Sequence, residues 1–458
     1  MSDASSLPDL SDRREPSGKT RTELPVFPTG TAGQSQVRQA ARRALCLVLA
    51  GLSACTTPLP SPLPPPPPAG PQVPHLPPTL PAAALASVVV EVEDERLQFD
   101  PAIRQASQVL FAGVPPSTGG QPLVIGVPVI GNTGIQTGAT EAMGAMLAAR
   151  LSTLRPDLRL RPFSSDSLAA RPWLLLATLT PVHSVHQPEQ PPAEYRLCLA
   201  LADLASGTLL ATAQVKTRTD DFDPTPLPLF IDLPLWAPDP VQLAVTRSCR
   251  NGRTGEMLPE VWRESLPAAP LIQQATLAYH EQRFAQAQKL FETALPLAAG
   301  HAAQIHASLY LLHVRRGNRA AAMQSFAGFA RRALAQGRLT ARFNFGAGTS
   351  RMLASQHPYS DWLREIGQQM LRSGQCLAVV GHSRHMGSPV AEDRLSLQRA
   401  QWVGQRLLAQ TPALAGRVHA LGMGARLSLV GSGDDSDADA LDQRIEFRPA
   451  TCYRPERQ

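Results

Sequence analysis

The sequence predicts a multidomain α/β protein, on three observations. Short apolar runs of strand length alternate with segments of helical period in two separate stretches, an alanine-rich helical stretch lies between them, and a proline-dense spacer sets all three apart from the N-terminus. At 458 residues and 43% hydrophobic content, each stretch can bury a core. Charge is nearly balanced, 43 Lys and Arg against 37 Asp and Glu. No basic run is interleaved with aromatics, which argues against nucleic acid as a partner.

Residues 1–54 read as a leader and signal peptide. Ser2 to Gln36 are polar and lack an apolar period, so nothing there offsets the ordering entropy of folding. Arg38, Arg42 and Arg43 then precede the apolar run Ala44 to Leu52, a charged n-region and a short h-region. That run is about half the ~20 residues a spanning helix needs. Leu52-Ser53-Ala54-Cys55 resembles the bacterial lipobox. The resemblance implies lipidation of Cys55 and, with Thr56 rather than Asp following, attachment to the outer membrane through acyl chains, facing the periplasm. A small-residue cleavage site with an incidental Cys is the other reading. In the linker, residues 55–82, proline occupies nearly every second position from Pro58 to Pro81. This predicts a polyproline II spacer reaching roughly 70 Å at ~3.1 Å per residue.

The first folded segment, residues 83–245, is predicted as an α/β domain. Val88 to Val92 and Pro122 to Ile130 read as strands, Thr140 to Leu154 as an amphipathic helix, and Trp173 to Thr180 as a further strand. Tyr195 to Asp203 and Thr208 to Thr217 flank Leu204-Ala205-Ser206-Gly207, a hairpin whose Gly supplies the turn. The order resembles the periplasmic domains of the curli-assembly and flagellar-lipoprotein superfamily. Between strand and helix, Gly131 to Gly138 has two readings: a backbone cradle for phosphate, or a flexible connection capped by Thr137 or Thr140.

Residues 270–336 read as helices with tetratricopeptide-like spacing. Ala275, Phe284, Ala287, Phe291 and Ala294 occupy that repeat's small and aromatic positions, and Gly317, Ala322 and Phe326 repeat part of the pattern. Two hairpins fit. A structural spacer and a module for a periplasmic protein partner remain equal readings.

From residue 339 to 449 the predicted order is strand, helix, strand, helix, two strands: Leu339 to Phe345, Pro358 to Ser373, Cys376 to Val380, Glu392 to Gln410, Arg417 to Leu421 and Gln443 to Phe447. Val380-Gly-His-Ser-Arg-His-Met-Gly387, Leu395-Ser-Leu-Gln-Arg-Ala400, Gly422-Met-Gly424 and Asp442-Gln-Arg-Ile-Glu446 together resemble the OmpA-like peptidoglycan-binding family. The resemblance implies an α/β sandwich that holds the diaminopimelate of a peptidoglycan stem peptide noncovalently, between the loop after the second strand and the second helix. Arg399 matches the family's carboxylate-binding Arg, Arg444 matches the second Arg of the last-strand motif, and Ser383 lies in the ligand loop. Arg384 stands where the family carries Asp, and Glu392 replaces the usual Asn. The ligand's ammonium therefore meets a cation where an acid is expected. His382 and His385 lie three apart with no third metal ligand, so loop packing is the reading and no metal is expected.

Besides Cys55, the exported chain retains Cys198, Cys249, Cys376 and Cys452. An even count in an oxidising compartment predicts two disulfides, and of the three pairings possible one per domain is expected: Cys198 with Cys249 and Cys376 with Cys452. No nucleophile elbow, zinc-protease helix, Cys-x-x-Cys or P-loop is present, so neither an enzyme nor a cofactor is expected. The sequence thus points to an outer-membrane lipoprotein that grips peptidoglycan. The competing reading is a periplasmic interaction scaffold whose OmpA-like domain has lost its ligand.

Overall fold

The computed structural model describes residues 96–452, except 132, 184–191, 193, 222, 299, 356, 386, 428 and 430–440. Cys55, the proline spacer and the predicted strand Val88–Val92 lie outside the described residues.

The first sheet is built from β1 (Gln121–Ile125), β2 (Val129–Ile130), β3 (Leu158–Arg161), β4 (Trp173–Val182), β5 (Glu194–Asp203) and β6 (Thr208–Arg218). Its order is β3-β1-β4-β5-β6, with β2 also paired to β4; β1 runs parallel to β3 and β4, β2 runs parallel to β4, and β4-β5-β6 is an antiparallel meander. The single strand expected from Pro122 to Ile130 is two. Pro128 has no N–H with which to continue a ladder, and the chain steps across Gly126-Val127-Pro128 before pairing again. Helix α1 (Phe99–Ala112) buries Ala102, Ile103, Ala106 and Leu110 against β5 and β6. Helix α2 (Gly138–Leu154) follows β2, and the short α3 (Ser165–Ala169) precedes β4.

After β6 come α4 (Pro228–Asp232), β7 (Leu235–Trp236), α5 (Pro240–Asn251) and α6 (Glu260–Ser265). Asp239 caps α5 by accepting the N–H groups of Val241 (2.8 Å) and Gln242 (3.1 Å), with Pro240 at the first helical position. Cys249 in α5 is disulfide-bonded to Cys198 on β5, Cα to Cα 6.1 Å, which fastens the helix to the sheet.

Four helices then form two hairpins, α7 (Ala269–His280) with α8 (Phe284–Ala294) and α9 (Ala302–Arg315) with α10 (Arg319–Ala335). Ala275, Ala287, Phe291, Ala294, Ala322 and Phe326 are all buried between them. The second sheet comprises β8 (Leu339–Ala341), β9 (Cys376–Gly381), β10 (Val418–Gly422) and β11 (Ile445–Ala450), with α11 (Tyr359–Ser373) and α12 (Pro389–Gln410) packed on it. Its order is β10-β9-β11-β8-β7, so a strand from the segment before α5 completes its edge. The expected strand Leu339–Phe345 stops at Ala341. Phe343 turns into the aromatic cluster with Tyr359 and Trp362, and Phe345 bridges back to Met352.

Trp362 of α11 stacks on Phe326 of α10 (5.3 Å, 4° between planes) and donates its Nε1–H to Tyr310 of α9 at 3.1 Å. A single hydrophobic cluster therefore runs from α1 through the hairpins to β11. Cys376 at the start of β9 is bonded to Cys452 after β11, Cα to Cα 5.0 Å. Among the described residues, no helix is long and apolar enough to cross a membrane.

Candidate ligand-binding rim

The register of the second sheet determines which residues can meet. β9 and β10 are parallel with Gly381 opposite Gly422, and β11 is antiparallel to both β9 and β8, with Ile445 opposite Gly381 and Ala341. One rim of the sheet therefore collects the loop after β9, the Gly422-Met423-Gly424 turn, the residues just before β11 and the loop after β8. Helix α12 lies directly on this rim. A Cβ at Gly381 would strike the Ser396 carbonyl, and one at Gly422 would fall 2.7 Å from the Asp393 carbonyl and 2.8 Å from the Leu397 nitrogen. These motif glycines are what let the helix backbone approach the strands.

Arg399 points inward from α12 and is 3% exposed. Its Nε donates to the Thr349 carbonyl (2.9 Å), Nη1 to Gln443 Oε1 (3.2 Å) and Nη2 to the Gly346 carbonyl (3.3 Å), with the guanidinium 5.0 Å over the Phe345 ring. Among the described residues, no carboxylate lies within ion-pair distance of it. Burial and then the charge of Arg384 bring its pKa down to about 10. A guanidinium in this setting carries an uncompensated charge in a low dielectric and suits a carboxylate.

Arg384 is partly buried in the loop after β9, near enough for its charge to act on Arg399. Ser383 is buried; its N–H donates to the Gly424 carbonyl (2.9 Å) and its hydroxyl leans toward the Glu392 carbonyl (3.4 Å). Glu392 is 0% exposed, with Oε1 3.4 Å from His385 Nδ1. Arg399, Arg384, Ser383 and Glu392 thus share one corner, in which Ser383 and Glu392 are interior. Arg444 is engaged elsewhere: its Nε donates to Glu446 Oε1 at 3.0 Å, its Nη2 to the Leu427 carbonyl at 2.9 Å, and its Nη1 lies 3.7 Å from Asp442. Burial alone would raise the Glu446 carboxyl, but the neighbouring His382 ring, with Nε2 3.5 Å from Oε1, and the charge of Arg444 hold it well below the usual carboxylate range. His382 is buried beside Glu446, and burial, then Arg444, pushes its pKa down to about 4. Among the described residues, no group of three or more His, Cys, Asp or Glu side chains is placed to hold a metal.

Sequence reasoning missed Gln443, Phe345 and the carbonyls of Gly346 and Thr349 as the surroundings of Arg399. Carbonyls leave no mark in a sequence, and Gln443 figured only as the second residue of the Asp442-Gln-Arg-Ile-Glu446 motif. The other loop of interest, Gly131 to Gly138, is closed. Thr137 caps α2 in a reciprocal box with Thr140, Gly138 and Ala139 donate to the Thr225 and Asp223 carbonyls (3.0 and 2.8 Å), and the Asp223 carboxylate stands over Gly138. A phosphate would find those donors engaged and an acid in its place.

No protein-family model and no curated protein matches the chain. Several solved structures resemble part of it. An outer membrane protein from Borrelia burgdorferi B31 is 16% identical, with 24% of this chain and 86% of that chain covered and a TM-score of 0.20. The OmpA-like domain of FopA1 from Francisella tularensis subsp. tularensis SCHU S4 is 16% identical over 25% of this chain and 77% of its own, TM-score 0.20. The cell wall anchor of the T6SS from Pseudomonas aeruginosa is 24% identical over 25% of this chain and 80% of its own, TM-score 0.21.

Proposed function

We propose that this chain is an outer-membrane lipoprotein that binds peptidoglycan noncovalently through an OmpA-like C-terminal domain, without catalysis. The observation that carries the reading is Arg399, a buried guanidinium held only by neutral oxygens at the rim where the sequence motifs converge. A stem-peptide carboxylate would supply the counter-charge. Acyl chains on Cys55 would hold one end at the membrane, and the proline spacer would let the folded part reach the wall. The two disulfides fit an oxidising periplasm.

Co-sedimentation of the purified chain with sacculi tests this. Wild type pellets with the wall, and Arg399→Ala binds about tenfold or more weakly, as expected for a lost charge-assisted bond, with an unchanged circular dichroism spectrum as the control for folding. Equal binding by the two proteins would remove the reading. Cys55→Ala is expected to leave the membrane fraction while keeping wall binding. One observation favours a second reading, in which the domain is a scaffold without this ligand: Arg384 places a second cation beside Arg399, where a ligand ammonium would be repelled. In that case wild type fails to pellet with sacculi.

A further inference from the structure

A second site lies where the first sheet meets the helical hairpins. β4, α5 and α6 form one wall of a cavity, and α7 and the start of α9 form the other. It is open to solvent on one side, and the space within it wide enough for a water molecule amounts to about 90 Å³. The walls are largely apolar, with Leu174, Leu176, Val245, Trp262 and Ile272 among them. Polar groups nevertheless converge on it from both sides. Gln136 from the first domain donates to Gln273 of α7 at 3.1 Å. His301, which leads into α9, holds Asp239 of the α5 cap at 2.6 Å. Thr178, 1% exposed on β4, has no hydrogen-bond partner for its hydroxyl among the described residues.

Each of these polar features needs an account. A buried hydroxyl without a partner forfeits the hydrogen bonds it makes to water, and structures seldom leave one so unless something else satisfies it. The Asp239 carboxylate fixes the His301 ring: one oxygen takes the cap N–H groups and the other faces Nδ1, leaving Nε2 for another contact. Among the described residues that line the cavity, none is Asp, Glu, Lys or Arg, and His301 is the one titratable side chain. Apolar walls with a few placed amide, hydroxyl and imidazole groups are the chemistry of a small-molecule pocket, and domain junctions are where such pockets gather.

We propose that this cavity binds a small uncharged molecule carrying an apolar ring or short chain and one hydrogen-bonding head, with Thr178, His301 and the Gln136–Gln273 pair reading the head. Its occupancy would be felt by both halves of the molecule, because its walls come from both. An ionic ligand is disfavoured by its own desolvation, since His301 is already matched by Asp239 and the pair offers no net opposite charge to carboxylate or ammonium alike.

The test uses the full chain and five one-ring probes of similar size: benzamide, benzyl alcohol, toluene, benzoate and benzylamine, followed by ligand-observed NMR and thermal shift. Benzamide or benzyl alcohol is expected to bind saturably, and benzoate and benzylamine at least tenfold more weakly. Ala269→Phe, a half-buried position on the cavity wall, is expected to abolish binding by filling it. Thr178→Val, which keeps the shape and removes the hydroxyl, is expected to weaken benzamide or benzyl alcohol roughly three- to tenfold and leave toluene unchanged, the size of one hydrogen bond. Thr178→Val keeps the test decisive should Ala269→Phe fail to fold. Absence of saturable binding by every probe overturns the proposal. So does equal binding of the charged probes, or Ala269→Phe folding normally and binding as wild type does.

Discussion

Gly131 to Gly138 ahead of α2 and His382 to Ser388 ahead of α12 are both glycine-punctuated loops carrying the chain from a buried strand onto the first turn of a helix. In the first, the N–H groups of Gly138, Ala139 and Thr140 are all engaged by the protein's own oxygens, and Asp223 covers the helix start. In the second, Ser388 provides no side-chain cap, Pro389 has no N–H to offer, and two cations, Arg384 and Arg399, gather behind the loop. The difference teaches that glycines in such a loop report only how closely backbone can approach. Whether the loop can receive an anion depends on what the rest of the chain places there: an acid over the helix start in one case, two arginines together with the buried Glu392 in the other.

The largest effect that would sharpen this contrast is on ligand affinity. Arg384 and Arg399 both favour a carboxylate, so the ammonium of a zwitterionic stem peptide depends on the buried Glu392 for its acceptor. Arg384→Asp is expected to tighten a diaminopimelate-containing stem peptide by about tenfold or more, corresponding to the ~1.5–3 kcal/mol of a charge-assisted bond. Arg399→Lys is expected to weaken it by roughly tenfold, because the ammonium loses the planar fork. Calorimetry with the purified peptide measures both. Weaker binding by Arg384→Asp would mean that Arg384 is itself a carboxylate ligand, and the two cations would then act together on the anionic end.

Much of this arrangement was legible before any coordinates, and the gaps have physical causes. The buried runs of β4, β5 and β9 and the period of α11 stand out because burial on one or both faces constrains nearly every residue, whereas α2, expected to be amphipathic, carries apolar residues around its whole circumference. β7 does not: Leu235 and Trp236 pair for two residues between Pro234 and Pro238, too short for any period, and what completes the second sheet is tertiary placement. Helix α5 carried its signal in Asp239-Pro240 followed by Val241, Ala244, Val245 and Cys249, a cap and an apolar stripe that run past the expected domain end at residue 245. At the rim, Arg399 was legible through its motif. The burial of Glu392 was not, because an acid in a helix's first turn ordinarily sits in solvent complementing the dipole.

A middle-sized effect concerns acid. In the folded rim His382 titrates at about 4 instead of near 6.5, so between those values the unfolded chain binds the proton and the folded chain does not. Stability is therefore full above about pH 6.5 and falls as the pH drops toward 4. Glu446, whose folded pKa is also depressed, adds a further loss below the ordinary carboxylate range. Urea titrations from pH 7 to pH 4 should show falling stability, and His382→Gln should remove its share of that fall, with His306 and His357, also pushed down to about 4 by burial, supplying the rest. An unflattened profile would place the acid-sensitive group outside the ligand rim and weaken the electrostatic contrast between the two loops.

The smallest expected effect is at the closed loop. The Thr137 hydroxyl accepts the Thr140 N–H and the Thr137 N–H donates to the Thr140 hydroxyl in return, so the box serves stability alone if the loop binds nothing. Thr137→Ala removes one of those bonds and is expected to destabilise the chain by about 1 kcal/mol, the usual cost of a lost N-cap. Millimolar phosphate should leave the melting temperature of wild type unchanged, because an incoming anion would have to displace the Thr225 and Asp223 carbonyls and approach the Asp223 carboxylate. Asp223→Asn removes the repulsion but leaves both carbonyls in place, so phosphate should still produce no shift. A clear phosphate-dependent rise in that variant would show that one carboxylate alone keeps this loop from being an anion site. The contrast with the rim would then rest on a single residue rather than on the packing of residues 223–225 against the helix start.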